Sequence, residues 1–373
     1  MSLAASPDPT TSLLYPCGEP PAPGHTREIA PGVQWIRMPM PFALNHINLW
    51  AIRDGEPGDS EAGWAIVDSG LQNLDTANAW RQLLAGSGPL GGRRVTRVLV
   101  THMHPDHIGM AGWMTRRFDC RLWMTRLEYL NCRVLTADTG REAPEDGVRF
   151  YRKAGWTGDD IENYRARFGG FGKMIHQLPD SYRRLQDGES LRISEHEWRV
   201  IAGRGHSPEH ACFYCPDLRL FISGDQVLPR ISSNVSVFPT EPDADPLADW
   251  LASIEKIKRE VPDDVLVLPA HNDPFRGLHA RLDHLAGGHQ RSLQRLRECL
   301  DEPRRAVDVF GALFARRITS EPSLLGLATG ESLAHLNYLV RRGEAVIRKT
   351  SDGVAWYQLV QPQRKTIEER QAC

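Results

Sequence analysis

The sequence predicts an α/β fold in which a large mixed domain precedes a small C-terminal module. A helix-like segment at residues 74–85 lies between two strand-like segments, which is the pattern of α/β proteins. Short apolar runs at 98–100 and 265–268 are typical of strands that are buried on both faces. The 373 residues are enough for about two domains.

Composition and charge exclude several classes of protein. With 41% hydrophobic and 25% charged residues, the chain is not collagen-like, coiled-coil or mainly disordered. The 45 Lys and Arg residues and 47 Asp and Glu residues give a formal net charge of −2, so no overall field attracts nucleic acid or anionic lipid. Fourteen histidines are a rich supply, and their positions direct the functional prediction.

Cysteine usage and the first residues predict a soluble cytoplasmic protein. The seven cysteines are an odd number and lack the spacing of a disulfide scaffold, which indicates a reducing compartment. Residues 1–23 lack the basic start and the apolar run of a secretory signal. No apolar stretch approaches the 18 residues that a membrane helix needs.

The chain divides into an N-terminal arm, a main domain and a C-terminal domain. Residues 1–27, rich in Pro, Ser and Thr, are expected to form a mobile arm or a strap over the surface. The main domain covers residues 28–285. Its predicted strands are, in order, 32–38, 47–53, 63–68, 95–100, 191–193, 197–201, 211–214, 218–222 and 265–268.

Two helical regions complete the prediction. One, at about 125–182, is interpreted as an insertion in the main domain, and Thr157 is expected to cap a helix within it. The other begins after residue 285 and ends near 342, before a hairpin at 345–360. Helices followed by a hairpin indicate a small winged-helix-like domain at residues 286–373.

A cluster of histidines follows the strand at 95–100 and reads Thr-His-Met-His-Pro-Asp-His-Ile-Gly over residues 101–109. Alternate side chains of an extended chain point the same way, so His102 and His104 can bind one metal ion together. After the bend that Pro105 favours, Asp106 and His107 can face a second ion. Three imidazoles and a carboxylate at this density gain little without a cation, so we predict a metal site.

This His-x-His-x-Asp-His sequence resembles the signature of the metallo-β-lactamase fold superfamily. The other motifs of that family can be placed in order, each at the end of an apolar strand, between about residues 30 and 285. The resemblance implies an αββα sandwich, with Asp68 supporting the site from behind the ligands. It also implies seven metal ligands: His102, His104 and His206 on one ion, Asp106, His107 and His271 on the other, and Asp225 between them.

The resemblance further implies two divalent metal ions. Zn²⁺ is expected first, with Mn²⁺ or Fe²⁺ as alternatives, because a His and Asp ligand set accepts several metals. Bound Zn²⁺ lowers the pKa of water to about 7, so a hydroxide that bridges the ions would be the nucleophile. We assign Asp106 the catalytic role of orienting that hydroxide and handling its proton. The alternative is that Asp106 is only a ligand.

Residues close to these motifs have plainer interpretations. His210 is expected to support the site by hydrogen bonding rather than as a ligand. Cys212 and Cys215 have the spacing of a redox or zinc pair, but their run is strand-like and has no second cysteine pair, so we place them in the core. His46 is expected to be a surface or hydrogen-bonded histidine, with lining of a pocket as the alternative.

Two regions are candidates for contacts with the substrate. The helical insertion carries aromatic residues and arginines that would either form a lid or pack on the sheet: Tyr151, Arg152, Trp156, Tyr164, Arg165, Arg167, Phe168 and Phe171. In the loop at 228–238, directly after Asp225, Arg230 and Ser232 are candidates for binding a charged substrate tail.

The C-terminal domain resembles the winged-helix end of the LACTB2-like branch of the superfamily, whose members have been regarded as RNA endonucleases. It would either bind nucleic acid or serve packing or dimerisation. We favour the second, because its basic residues are interleaved with acids. A homodimer is compatible with the sequence, and no membrane contact is expected.

Three functions follow. The first is a hydrolase of a small carboxylic derivative, such as a thioester, ester or lactone, with incidental β-lactam cleavage. The alternative is a metal-dependent endoribonuclease acting on single-stranded RNA. The third is a non-hydrolytic redox or binding protein on the same fold. The complete set of seven ligand positions argues against a site that has lost its metals, although it does not exclude an iron-dependent persulfide dioxygenase type.

Overall fold

The computed structural model describes residues 13–55, 59, 61–315, 317–318 and 321–360. The chain divides into two compact units, each built from several segments. The first unit comprises Met1–Ala143, Ala166–Val235 and Ala248–Gly288, and the second comprises Pro144–Arg165, Ser236–Leu247 and His289–Cys373.

Seven strands form the first sheet of the first unit, in the order of the chain. They are β1 (Arg27–Ala30), β2 (Val33–Pro39), β3 (His46–Asp54), β4 (Gly63–Val67), β5 (Val95–Leu99), β6 (Arg121–Thr125) and β7 (Arg183–Leu185). The strands from β1 to β4 pair antiparallel, whereas those from β4 to β7 pair parallel. The carboxyl ends of the parallel strands therefore meet at one edge of the sheet.

Five strands form the second sheet, in the order β12-β11-β10-β9-β8. They are β8 (Ser190–Ile193), β9 (His196–Gly203), β10 (His210–Cys215), β11 (Leu220–Gly224) and β12 (Leu266–Pro269). Strands β11 and β12 are parallel, and the other pairs are antiparallel. The parallel pair again places two carboxyl ends side by side.

Ten helices accompany the strands in the described residues: α1 (Leu74–Leu83), α2 (Pro105–Ile108), α3 (Ala111–Phe118), α4 (Arg126–Ala137), α5 (Glu145–Ala154), α6 (Gly158–Arg167), α7 (Pro246–Glu260), α8 (Leu278–Cys299), α9 (Phe310–Leu313) and α10 (Pro322–Arg341). The start of α1 follows from its sequence, because the Asn73 side chain accepts a hydrogen bond from the backbone N–H of Thr76. Short 3₁₀ helices occur at Phe171–Lys173 and Ala306–Val309.

The first unit is layered in the order helix, sheet, sheet, helix. Trp35 and Trp50 of the first sheet pack with Trp198 and Phe213 of the second, and all four side chains are buried. On the outer face of the first sheet, residues from α1, α3 and α4 pack on β2, β4 and β5. Helix α7 lies against the second sheet, since Ser253 accepts a hydrogen bond from the Arg204 backbone N–H at 2.8 Å. The predicted αββα sandwich is confirmed.

The second unit has its own core and a terminal hairpin. Val148, Trp156 and Ile161, from the region of α5 and α6, pack with Leu325 of α10. The Trp156 indole N–H donates to the Thr329 hydroxyl at 2.9 Å. Strands β13 (Ala345–Lys349) and β14 (Ala355–Leu359) pair antiparallel as the predicted hairpin.

The segment boundaries differ from those that the sequence predicts. Of the two forms expected for the N-terminal arm, residues 13–27 adopt the strap, because Leu14 and Arg276 exchange two backbone hydrogen bonds. Residues 1–12 of the predicted arm lie outside the described residues. The helical stretch at 125–182 is not one insertion, because Pro144–Arg165 belongs to the second unit.

Strands β6 and β7, which flank the helical stretch, were missed. Strand β7 is three residues long and contains two arginines, so it has too little alternation to be recognised.

Within the described residues, no helix is both long enough and apolar enough to span a membrane.

Candidate metal centre

The candidate site lies where parallel strands of both sheets end. The His102 to His107 segment follows β5, Asp225 follows β11, and His271 follows β12. His206 lies in the turn between β9 and β10. All seven residues predicted as ligands are brought together.

Seven donor atoms form two groups. The first contains His102, His104, His206 and Asp225, and the second contains Asp106, His107 and His271. Within each group, the atoms that could hold a cation lie within 4.8 Å of one another.

Asp225 joins the two groups through different carboxylate oxygens. Its Oδ2 lies 3.4 Å from the Nε2 of His206 in the first group. Its Oδ1 lies 3.5 Å from the Nε2 of His107 and 3.4 Å from the Nε2 of His271, both in the second group. A carboxylate in this position can be shared between two cations, as the sequence resemblance implies.

Buried polar atoms without a hydrogen-bond partner indicate that the candidate ligands fit divalent cations. Within the seven candidate ligands, three side-chain atoms are buried without a hydrogen-bond partner: His107 Nε2, His206 Nε2 and Asp225 Oδ1. Buried polar atoms are normally paired, so this concentration at one point needs an explanation. Two ligands bound tetrahedrally to one Zn²⁺, each at about 2.0–2.1 Å, have donor atoms about 3.4 Å apart. The spacing around Asp225 matches this value.

In four of the histidines, the Nδ1 atom has a hydrogen-bond partner, and the Nε2 atom lies on the other side of the ring. His206 Nδ1 lies 2.8 Å from the Asn234 carbonyl oxygen, and His271 Nδ1 lies 2.8 Å from that of His46. His107 Nδ1 lies 2.7 Å from Asp68 Oδ2, and His102 Nδ1 lies 3.1 Å from the Thr101 hydroxyl. An Nδ1–H bonded to an acceptor leaves the Nε2 lone pair free for a cation.

Asp68 supports the site, as the resemblance implies, and it does so from a strained backbone position. Its φ is 61°, in the left-handed region that non-glycine residues seldom adopt. Its two carboxylate oxygens accept hydrogen bonds at 2.8 Å from the backbone N–H and the hydroxyl of Thr101. Asp68 thereby fixes both the start of the histidine segment and the ring of His107.

The electrostatics of the two groups differ. Burial lowers the pKa of His104 to about 3 and that of His102 well below its usual value, so both imidazoles are neutral electron-pair donors. Burial also opposes the charged form of His107, but Asp106 and Asp68 outweigh it and raise the pKa of His107 well above its usual value. The second group therefore has a negative potential that attracts positive charge.

Glu128 is a site-supporting residue that the sequence analysis missed. Its buried carboxylate accepts the backbone N–H of Met103 at 3.0 Å and that of Glu209 at 2.8 Å. One donor, Met103, lies between His102 and His104, and the other, Glu209, follows His206. Burial raises the pKa of Glu128. The sequence signal, a lone glutamate in the first turn of a helix, is too common to indicate this role.

Asn48 was also missed. Its side chain is fully buried, and its amide donates to the carbonyl oxygens of Pro269 at 2.9 Å and Asn272 at 2.6 Å. These two carbonyls flank His271. Arg37 donates to the Asn48 side-chain oxygen at 2.9 Å, so β2 and β3 together fix the loop that carries His271.

The remaining candidates are distributed as follows. Cys212 and Cys215 are buried free cysteines, which confirms their placement in the core. His46 accepts a hydrogen bond from the Asn272 backbone N–H at 2.8 Å, so it is a hydrogen-bonded histidine beside the site. Tyr151 packs on Trp156 and Tyr164, with ring centroids 4.2 and 4.7 Å apart, so these rings serve packing within the second unit.

Comparison with known protein families gives two matches. Residues 46–271 match the model described as metallo-beta-lactamase superfamily, and residues 293–360 match the metallo-beta-lactamase-like C-terminal domain. A crystal structure described as a beta-lactamase domain protein from Burkholderia ambifaria is 39% identical, with a TM-score of 0.85. The similarity covers 94% of this chain and 99% of that one.

Two curated relatives with named activities are more distant. A linear primary-alkylsulfatase from Pseudomonas sp. is 24% identical over 226 residues, which are 59% of this chain and 41% of the relative. A hydroxyacylglutathione hydrolase from Cereibacter sphaeroides is 35% identical over 63 residues, which are 17% of this chain and 25% of the relative. The chain thus spans less than half the length of either relative.

Proposed function

Because the chain belongs to the metallo-β-lactamase superfamily, whose members are generally hydrolases, we propose that it hydrolyses small carboxylic derivatives with two bound divalent cations. The proposed substrates are thioesters, esters or lactones, with incidental cleavage of β-lactams. The observation that carries the proposal is the pair of ligand groups joined at Asp225.

His102, His104 and His206 would hold one cation, Asp106, His107 and His271 the other, and Asp225 both. Cations held there would polarise the substrate carbonyl and make an attacking water more acidic. Zn²⁺ is the first candidate, with Mn²⁺ or Fe²⁺ as alternatives.

Asp106 is the residue that we assign to proton handling. Its side chain is 21% exposed, compared with 11% for Asp225 and none for His107, so it is the most accessible of these three to a bound molecule. Its carboxylate lies 3.4 Å from His271 Nε2 and 3.7 Å from His107 Nε2. From this position it would orient the attacking water and accept its proton, while the imidazoles keep the site rigid.

The substrate class rests on the chemistry of the site and on one relative. The relative named hydroxyacylglutathione hydrolase supports an acylated thiol as substrate. The relative named linear primary-alkylsulfatase supports sulfate ester cleavage as a competing outcome.

RNA cleavage ranks lower because many arginines of the second unit are paired. Arg297 contacts Glu344 at 2.7 Å, Arg305 contacts Asp308 at 2.7 Å, and Arg342 contacts Asp245 at 3.2 Å. Such pairing reduces the positive potential available to a phosphate backbone. We therefore assign a packing role to the C-terminal domain at residues 286–373, which we interpret as winged-helix-like. A cytoplasmic location remains part of the proposal, on the odd number and irregular spacing of the cysteines in the sequence.

Metal analysis followed by a substrate panel tests the proposal. Protein produced with added zinc or manganese should contain close to two divalent ions per chain. It should cleave S-lactoylglutathione or a simple lactone, and leave a primary alkyl sulfate and a labelled single-stranded RNA intact. His206→Ala should abolish turnover, whereas the control His196→Ala, a histidine beside the exposed Asp217 and Glu195, should not. Absence of metal would refute the site, and RNA cleavage lost in His206→Ala would favour the nuclease.

A further inference from the structure

The loop that follows Asp225 is held rigidly at its base. Arg281, a buried arginine of α8, donates from Nε to the Leu228 carbonyl at 2.5 Å and from Nη2 to the Ile231 carbonyl at 2.7 Å. The Ser233 hydroxyl donates to the Asp225 carbonyl at 2.5 Å. The backbone of residues 228–231 is therefore fixed relative to the ligand Asp225.

Arg230 projects from this fixed segment across to the loop of His271. Its side chain is 57% exposed, and its Nη2 lies 3.7 Å from Oδ2 of Asp273, two residues after His271. The guanidinium also lies 5.4 Å from the centre of the Tyr15 ring, which supports it from the strap. Arg230 thus extends from the loop that follows Asp225 to the loop that follows His271.

The charge around Asp273 leaves Arg230 able to bind an anion. Asp273 already accepts a hydrogen bond from Arg37 at 2.9 Å, so one carboxylate faces two guanidinium groups. Arg37 is largely buried and also donates to Asn48 and to the Asn272 carbonyl. At 3.7 Å, the contact between Arg230 and Asp273 is too long for a hydrogen bond. The Asp273 carboxylate therefore orients the Arg230 side chain by charge, and it accepts no hydrogen bond from the guanidinium.

We propose that Arg230 binds an anionic group of the substrate, a carboxylate or a phosphate, and so selects acidic thioesters or esters over neutral ones. This inference rests on the proposed function for its link to turnover. A planar guanidinium that is more than half exposed can bind either anion through two parallel hydrogen bonds. The fixed backbone lowers the entropic cost of ordering it.

Two matched pairs of substrates provide the kinetic test. S-acetylthioglycolate and S-acetylthioglycolamide differ only in a carboxylate replaced by an amide. Acetyl-CoA carries a phosphorylated adenosine group that S-acetylpantetheine lacks. We consider the pair that the unaltered protein cleaves faster. In Arg230→Gln, kcat/KM for the charged member of that pair should fall about 10- to 100-fold. The neutral member should change by less than about 2-fold, and Arg230→Lys should recover part of the loss.

Arg219→Gln is the matched control. Arg219 is also exposed and paired with an aspartate, Asp264 at 2.8 Å, but it precedes β11 at the end opposite to Asp225. This variant should keep the preference for the anion. An equal loss on both members of each pair in Arg230→Gln would overturn the proposal, because it would show a general role in loop structure.

A binding measurement separates this inference from the proposed function. S-(2-oxopropyl)thioglycolate keeps the carbonyl and the carboxylate but has no acyl–sulfur bond, and its amide is the neutral partner. By calorimetry on the metal-loaded protein, the carboxylate should bind about 10-fold more tightly than the amide, and Arg230→Gln should remove the difference. If no thioester is cleaved, this comparison still decides the matter, and equal binding of the two compounds by the unaltered protein would overturn the inference.

Discussion

The buried imidazole of His210 accepts a hydrogen bond from the backbone N–H of Asp225 over 3.1 Å. Its Nε2 must therefore be unprotonated, and burial, with the charge of His206, lowers the pKa of His210 well below its usual value. Gly224 makes this contact feasible, because a Cβ at that residue would lie 2.5 Å from the same Nε2 and its φ is 51°. His210 thus positions the backbone of the shared ligand, the supporting role that the sequence predicts.

His210→Phe should weaken cation binding while the fold persists. The ring volume is nearly kept, but the Asp225 N–H loses its acceptor, and such supporting partners typically contribute about 10- to 100-fold to metal affinity. Competition with a chromogenic zinc chelator measures the change. His196→Ala should retain the original affinity, and an unaltered affinity in His210→Phe would show that Asp225 is positioned by its loop alone.

Glu128→Gln should lower the affinity of the first ligand group in particular. The amide NH₂ would face a backbone N–H at Met103 or Glu209, so one of the two contacts becomes repulsive. Cobalt substitution offers a readout, because the visible spectrum reports the geometry of each site separately. We expect a changed spectrum at the first equivalent of Co²⁺ and partial recovery in Glu128→Asp. Identical spectra in the unaltered protein and both variants would show that Glu128 does not support the metal site.

Removal of the metal should destabilise the protein. A cation at 100 times its dissociation constant stabilises the folded state by about 2.7 kcal/mol, which corresponds to several degrees in Tm. Differential scanning calorimetry with and without a chelator measures the shift. In His206→Ala the shift should be markedly smaller, because that variant lacks a ligand. Equal shifts in both proteins would place the stabilising cation elsewhere.

Thr329→Val should destabilise the second unit by about 1–3 kcal/mol. The change leaves the buried Trp156 N–H without its acceptor while the side-chain volume is nearly constant. Urea unfolding followed by tryptophan fluorescence tests this, with Thr329→Ser as the control that keeps the hydroxyl. If both variants lose the same stability, the methyl group of Thr329 rather than its hydroxyl accounts for the effect.

Local spacing was sufficient to predict most of the proposed site. His102 and His104 lie two residues apart after an apolar strand, so extended geometry alone brings them together. The order of the later motifs then led to His206, Asp225 and His271. The structure brings these residues together, because each lies shortly after a strand or in a turn between strands, and those strands have clear hydrophobic patterns.

Contacts between distant segments of the chain hold those residues in place. Glu128 and Asn48 bind backbone groups more than 80 and 200 residues away along the chain, and such contacts leave no periodic pattern. The position of Arg230 opposite Asp273 likewise depends on the buried Arg281. The extent of the second unit also depends on long-range contacts, because residues 144–165 belong to it through the packing of Trp156 on α10. The sequence alone was therefore enough to predict which residues meet at the candidate site and in what order. The contacts that hold them in place emerge only in the folded chain, because they depend on distances in space rather than on spacing along the chain.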